Sequence, residues 1–176
     1  KGFDVLGIDV NADLVHRINA AENVLPQEPG VHELLKSHSG KNLLATTEAD
    51  VTDRDAVIIL VPTLIHEKDG KVEPDLEAVL NVARATGRTL ATDAVLITES
   101  TMPPGASERI GAEVALTAKA AGRTWSASLA HAPERTSSGS ALRDIQERYP
   151  KIIGASDVRT LDRVAELYAS INAKGV

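Results

Sequence analysis

The sequence predicts an α/β protein: a doubly wound, mostly parallel sheet with helices on both faces. Two observations carry this. Short apolar, β-branched runs alternate with amphipathic stretches along all 176 residues, the order expected of βαβ units. Aromatic residues are only 2 % of the chain, so Val, Ile, Leu and Ala must fill the core, as in parallel strands covered on both sides.

The elements follow in order. Residues 3–10 (FDVLGIDV) read as a buried strand, and Asn11 and Asp13 open an amphipathic helix carrying Leu14, Val15 and Ile18. A loop with two prolines over 23–30 precedes a short helix at 31–37 and a short strand at 43–47. Residues 55–61 (DAVIILV) give the strongest strand signal, ended by Pro62. Residues 64–74 read as a polar loop with a turn at Asp69-Gly70, and Asp75 as the cap of a helix over 76–86. A buried strand at 94–98 leads through the turn TMPPG (101–105) into an Ala-rich helix ending near 121. Then come a strand at 125–132, a polar loop at 133–139, a short helix at 141–146, a strand at 151–154 and a helix at 158–171.

Composition excludes several functions. A net charge of -6 argues against a surface that tracks nucleic-acid phosphates. With no cysteine, these residues hold no disulfide, zinc–thiolate site or thiol nucleophile. No apolar run reaches the ~18 residues of a membrane span, no signal peptide is visible, and the histidines show no metal-ligand spacing. The chain opens on a strand pattern without an initiator Met, so its start is expected upstream.

In open parallel sheets ligands sit beyond the carboxyl ends of the strands. The residues there are Asp9, then Val61-Pro62-Thr63, then Glu99-Ser100-Thr101, then His131 to Arg135. Together they suggest one lined crevice. Asp9 suits the ribose hydroxyls of a dinucleotide, where its charge would favour NAD over NADP; a helix-capping acid reads as well. Thr63 reads either as a ribose contact or as a strand-ending turn. Ser100 and Thr101 read as ligand or water holders, or as N-caps. Glu134 reads as a general base or as a solvated partner of Arg135. His131 lies near this crevice; His16, His32, His38 and His66 read as surface residues.

Seven stretches in order, GFDVLGIDVN, QEPGVHELL, DAVIILVPT, DGKVEPDL, ITESTMPPG, HAPERTSSG and YPKIIGASD, resemble the UDP-glucose/GDP-mannose dehydrogenase family. The Pro133-Glu134-Arg135 form with Gly139 resembles its UDP-N-acetylhexosamine branch, the mannosamine enzymes among them. The resemblance implies a Rossmann-like NAD-binding domain over 1–176, lacking its first strand and glycine loop, with the central helix and cysteine domain outside the chain. It implies a cytoplasmic enzyme of polysaccharide biosynthesis, homodimeric when intact. NAD would oxidise the C6 hydroxyl of a UDP-sugar twice, through a cysteine thioester. Asp9, Val61, Pro62, Thr63, Ser100 and Thr101 would line the NAD; Thr101 would hold a water; Glu134 would act in hydrolysis or proton transfer and, with Arg135, meet the sugar. The pattern departs at Leu14, where a basic residue is usual and Arg17 is the substitute, and at Leu64, where the family has proline. Two other readings remain: a β-hydroxyacid dehydrogenase-type NAD domain, and a non-catalytic nucleotide-binding module.

Overall fold

The computed structural model describes residues 2–68 and 71–176, which form two units. One comprises the residues up to Ala49 with Arg135–Pro150 and Ala169–Gly175; the other comprises Asp50–Glu134 and Lys151–Tyr168.

In the first unit, β1 (Val5–Ile8) runs parallel to β2 (Leu43–Thr46), with Val5 opposite Leu43 and Ile8 opposite Thr46. Helix α1 (Ala12–Asn19) starts where the Asn11 side chain accepts from the Asp13 and Leu14 N–H groups, at 3.1 and 3.2 Å. At its other end the Asn19 amide bonds both backbone groups of Ala45, at 2.9 and 2.8 Å, giving β2 an edge partner that is not a strand. Helix α2 (Val31–His38) follows Gly30, whose φ of 87° is a left-handed value that favours glycine. The reading of residues 3–10 as a buried strand does not hold: β1 is four residues long and Val10 is 97 % exposed. Among the described residues β1 pairs with β2 alone, which leaves its second edge without a ladder.

The second unit holds a four-stranded sheet. β3 (Ala56–Ile59) lies beside β6 (Val95–Thr98), and β6 beside β7 (Leu129–His131), all parallel. β8 (Gly154–Ala155) closes the order antiparallel to β7, where the sequence places a longer strand at 151–154. Every residue of β6 is buried, as a central strand covered on both faces requires. Residues 64–74, read as a polar loop, form the antiparallel hairpin β4 (Leu64–Lys68) and β5 (Lys71–Asp75); the Asp69-Gly70 turn lies outside the described residues. Cross-strand backbone pairing sustains this hairpin although Leu64 and Ile65 stay exposed.

Helices α3 (Glu77–Thr89) and α4 (Ala106–Ala120) pack over the sheet, burying Val79, Leu80 and Ala83 against Leu96, Ile110 and Val114. Asp75, expected to cap a helix from Leu76, ends β5 instead; Leu76 holds the N-cap position without a side-chain bond, and the Asp75 carboxylate accepts from the Glu77 N–H at 2.8 Å. The short helix predicted at 141–146 is a turn of α5 (Ala141–Arg143) running into a π-helical turn at Asp144–Arg148, in the first unit. The chain ends with α6 (Val158–Ala169) and a short tail.

Helices α3 and α4 meet closely at Gly87. A Cβ there would stand 2.6 Å from the Val114 carbonyl oxygen, whereas at Gly111 it would meet only the Leu129 Cδ2, at 3.0 Å. Alanine is the better helix former by about 1 kcal/mol, but a backbone carbonyl can retreat only if α4 moves. Gly87→Ala is therefore expected to destabilise by about 1–3 kcal/mol, and Gly111→Ala to be near neutral because a leucine tip can turn aside. Urea unfolding of both variants checks this, and equal midpoints for Gly87→Ala and the parent would refute the close approach.

Candidate functional site

The parallel register places Ile59 opposite Thr98 and Thr98 opposite His131, so three chain segments leave the sheet along one edge. Backbone bonds extend the ladder past the strands: Glu99 N–H donates to the Ile59 carbonyl at 3.0 Å, Ala132 N–H to Thr98 at 2.9 Å, and Glu134 N–H to Glu99 at 3.1 Å. Val61, Pro62, Thr63, Ser100, Thr101 and Glu134 are thereby brought together in one unit.

Two hydroxyls stitch this edge. Ser100 Oγ donates to the Val61 carbonyl at 2.6 Å, and Thr63 Oγ1 donates to the Thr101 carbonyl at 2.6 Å. Ser100 and Thr101, read as possible N-caps, are not: α4 begins after Gly105, which has a φ of 85° and no side-chain cap. With their protons committed to carbonyls, the Ser100 and Thr63 hydroxyls keep acceptor lone pairs. A ribose hydroxyl, which can donate as well as accept, could bond to either. Thr101 and Pro62 are exposed, and Val61 packs against the core.

Glu134 belongs to a charged cluster of which the sequence reading named Glu99 and Glu134 but not Lys151 or Tyr168. Lys151 Nζ stands 3.1 Å from Glu99 Oε1 and 3.2 Å from Glu134 Oε2. The Tyr168 hydroxyl donates to Glu99, and the Lys151 ammonium lies 4.9 Å from the centre of the Tyr168 ring. Burial foremost, then the Glu99 charge, pushes the Tyr168 hydroxyl far above its ordinary pKa, so it stays a donor. His131 turns Nδ1 to Thr98 Oγ1 at 3.0 Å.

Asp9 and Arg135 belong to the other unit. Asp9 is exposed at the end of β1, and its Oδ1 accepts from the Asn11 N–H at 2.8 Å. Arg17, the substitute for a basic residue at position 14, is bonded to Glu22 at 3.0 Å. Arg135 donates to the Pro150 carbonyl, with its guanidinium 5.6 Å from the Tyr149 ring centre.

In that unit the loop after Arg135 is gripped by two carboxylates. Glu28, buried, accepts from the Gly139 and Ala141 N–H groups. Asp144 accepts from the Ser137 N–H at 3.1 Å and the Ser140 hydroxyl at 2.8 Å. Gly139 has a φ of 86° here, which suits glycine alone. The Ser137 N–H foremost, then the Ser140 hydroxyl and Arg148, hold the Asp144 carboxyl below the usual carboxylate range. A depressed folded-state pKa means that the stabilisation is complete above the unfolded value of about 4 and is lost as pH falls through the folded value. The protection factor for hydrogen exchange at the Ser137 amide should therefore hold down to about pH 4 and fall below it; the acid step should vanish in Asp144→Asn, and its persistence there would exclude Asp144 as the cause.

The comparisons with known proteins agree with this fold. The model of the UDP-glucose/GDP-mannose dehydrogenase family, NAD binding domain, matches residues 1–172. A UDP-N-acetyl-D-mannosamine dehydrogenase of Methanococcus maripaludis is 33 % identical over 171 residues, covering 96 % of this chain. The chain spans 37 % of the length of that relative. The solved UDP-D-ManNAc dehydrogenase of Pyrococcus horikoshii superposes with a TM-score of 0.84 at 27 % identity, over 98 % of this chain and 40 % of the other. A UDP-glucose dehydrogenase of Pyrobaculum islandicum gives a TM-score of 0.83 at 33 % identity, over the same shares of 98 % and 40 %. The fold is thus that of Rossmann-type dehydrogenase NAD domains, and the chain belongs to the NAD-binding domain of the UDP-glucose/GDP-mannose dehydrogenase family.

Proposed function

We propose that the chain is the NAD-binding domain, single though partial, of an enzyme that oxidises the C6 hydroxyl of a UDP-N-acetylhexosamine to the carboxylate, with UDP-N-acetyl-D-mannosamine as substrate. One observation supports this reading: the Glu134 N–H bonds to the carbonyl of Glu99, the residue before Ser100 and Thr101, so a candidate acid–base residue lies next to the segment that would meet the nucleoside sugar. The Pro133-Glu134-Arg135 sequence and the mannosamine relatives support the substrate branch.

The overall change turns one CH2OH, two NAD and one water into one carboxylate, two NADH and three protons. Bound NAD would supply the hydride acceptor. Thr63 and Ser100 would accept from ribose hydroxyls through the lone pairs left over from their carbonyl bonds. Val61 and Pro62 would line the same wall, and Asp9 would take the adenosine ribose through the carboxylate that already turns onto Asn11. Thr101 would hold a water, and Glu134 would remove its proton during hydrolysis. Arg135 and the clamped 137–141 loop would back the sugar. The required thiol is not among these residues, which contain no cysteine, so it would be supplied elsewhere in the intact enzyme. That enzyme would be a cytoplasmic homodimer serving polysaccharide synthesis; no helix among the described residues is long and apolar enough to cross a membrane.

The intact enzyme should form two NADH per UDP-N-acetyl-D-mannosamine. Absence of NADH with every UDP-N-acetylhexosamine would overturn the reading. Glu134→Gln should lower kcat by about 100-fold or more, the usual weight of a general base. Asp9→Ala should raise the KM for NAD about tenfold, as expected when one charge-assisted hydrogen bond of about 1.4 kcal/mol is lost, with kcat nearly unchanged. Steady-state kinetics in both substrates read the two effects separately.

A further inference from the structure

We propose that Lys151 is a positioning residue for Glu134: its ammonium, fixed by Glu99 and Tyr168, holds the Glu134 carboxylate at the strand-end edge. The proposal rests on the acid–base role of Glu134 and adds the group that orients it.

The three charges are graded in exposure. The Lys151 side chain is 10 % exposed and that of Glu99 9 %, whereas that of Glu134 is 31 % exposed. The ammonium is enclosed, and Glu134 is the most exposed of the three. Burying an ammonium is costly unless its donors are met, and here one carboxylate would already pair it. Glu99 does so at 3.1 Å, on a side chain that also receives the Tyr168 hydroxyl. The same oxygen, Glu99 Oε1, takes both donors, so its direction is set from two sides. The Tyr168 ring lies against the ammonium, the arrangement of a cation–π contact, and further restricts the lysine. A second bond to the more exposed Glu134, at 3.2 Å, is not needed to neutralise Lys151. Its physical effect is on Glu134, whose Oε2 is tied to a fixed point while its backbone N–H is tied to Glu99. A base held in one direction needs no rotamer search before it takes a proton.

The test uses the intact enzyme with NAD and UDP-N-acetyl-D-mannosamine, and reads kcat and both KM values. Lys151→Met should lower kcat on the order of 10- to 100-fold, within the range of acid–base contributions, with each KM within about threefold. Lys151→Arg should recover most of the loss. The double variant Lys151→Met/Glu134→Gln should be no slower than Glu134→Gln alone, because a residue acting only through Glu134 has nothing left to lose. Losses that multiply in the double variant, or a Lys151→Met enzyme within about twofold of the parent, would overturn the proposal. If Lys151→Met does not fold, Glu99→Gln reads the same link: it should slow the parent and be silent in the Glu134→Gln background, and equal slowing in both would overturn the proposal. The two readings fail differently. A fully active Glu134→Gln enzyme removes the role of Glu134 itself, whereas an inactive Glu134→Gln beside an active Lys151→Met removes only the role of Lys151.

Discussion

The site depends on one constraint, the parallel register of β3, β6 and β7. Because Ile59, Thr98 and His131 stand in a row, the segments that follow them emerge together and keep bonding to one another beyond the strands. The row is held because β6 is bonded on both sides, to β3 and to β7, and a slip would break both ladders inside a buried layer. Strand-end residues far apart in sequence then become neighbours without any contact of their own to bring them there. The Ser100 and Thr63 hydroxyl bonds secure an adjacency that the sheet has already made.

On this frame the charged groups are placed where stability alone would not ask for them. A buried ammonium between two carboxylates stabilises a fold little better than well-packed apolar residues of the same size. The second unit has such residues in quantity, from Val79 to Val114, and still keeps Lys151, Glu99 and Tyr168 beside Glu134. Their arrangement makes sense as a device for direction. Glu28 and Asp144 show the same logic in the other unit: each accepts from two donors between Ser137 and Ala141, fixing the turn that leads into α5.

Much of this was legible in the sequence, and what escaped did so for physical reasons. Short β-branched runs announced β3 and β6, and Pro62 and the Pro-Pro-Gly turn marked where the chain leaves the sheet, so Val61, Thr63, Ser100 and Thr101 could be named from strand ends alone. The hairpin at 64–75 was missed because its pairing is made by the backbone, while its side chains read as polar and exposed. Residues 3–10 were read as buried because apolar content does not say how many neighbours a strand has. Glu28, Glu99 and Lys151 lie in stretches that carry the family resemblance, yet a charge has no period. Whether it is solvated or enclosed depends on partners such as Tyr168, which lies 69 positions from Glu99.

The ties at Glu134 and Arg135 bear on how the loop they begin can work. Glu134 is bonded to Lys151, and Arg135, next in the chain, to the carbonyl of Pro150. The segment from Arg135 to Pro150 is therefore closed at its base by two successive links. Closing a loop removes chain entropy once, and further fixing of its interior costs less than ordering a free segment of the same length. The interior is then held by Glu28 at Gly139 and Ala141 and by Asp144 at Ser137 and Ser140. A loop restrained at its base and at four interior positions is ordered in advance, so a ligand bound there would not have to order it. On the proposed reading, the interaction energy of a sugar with this loop would go into orienting C6, where geometry governs rate, instead of folding the protein around it.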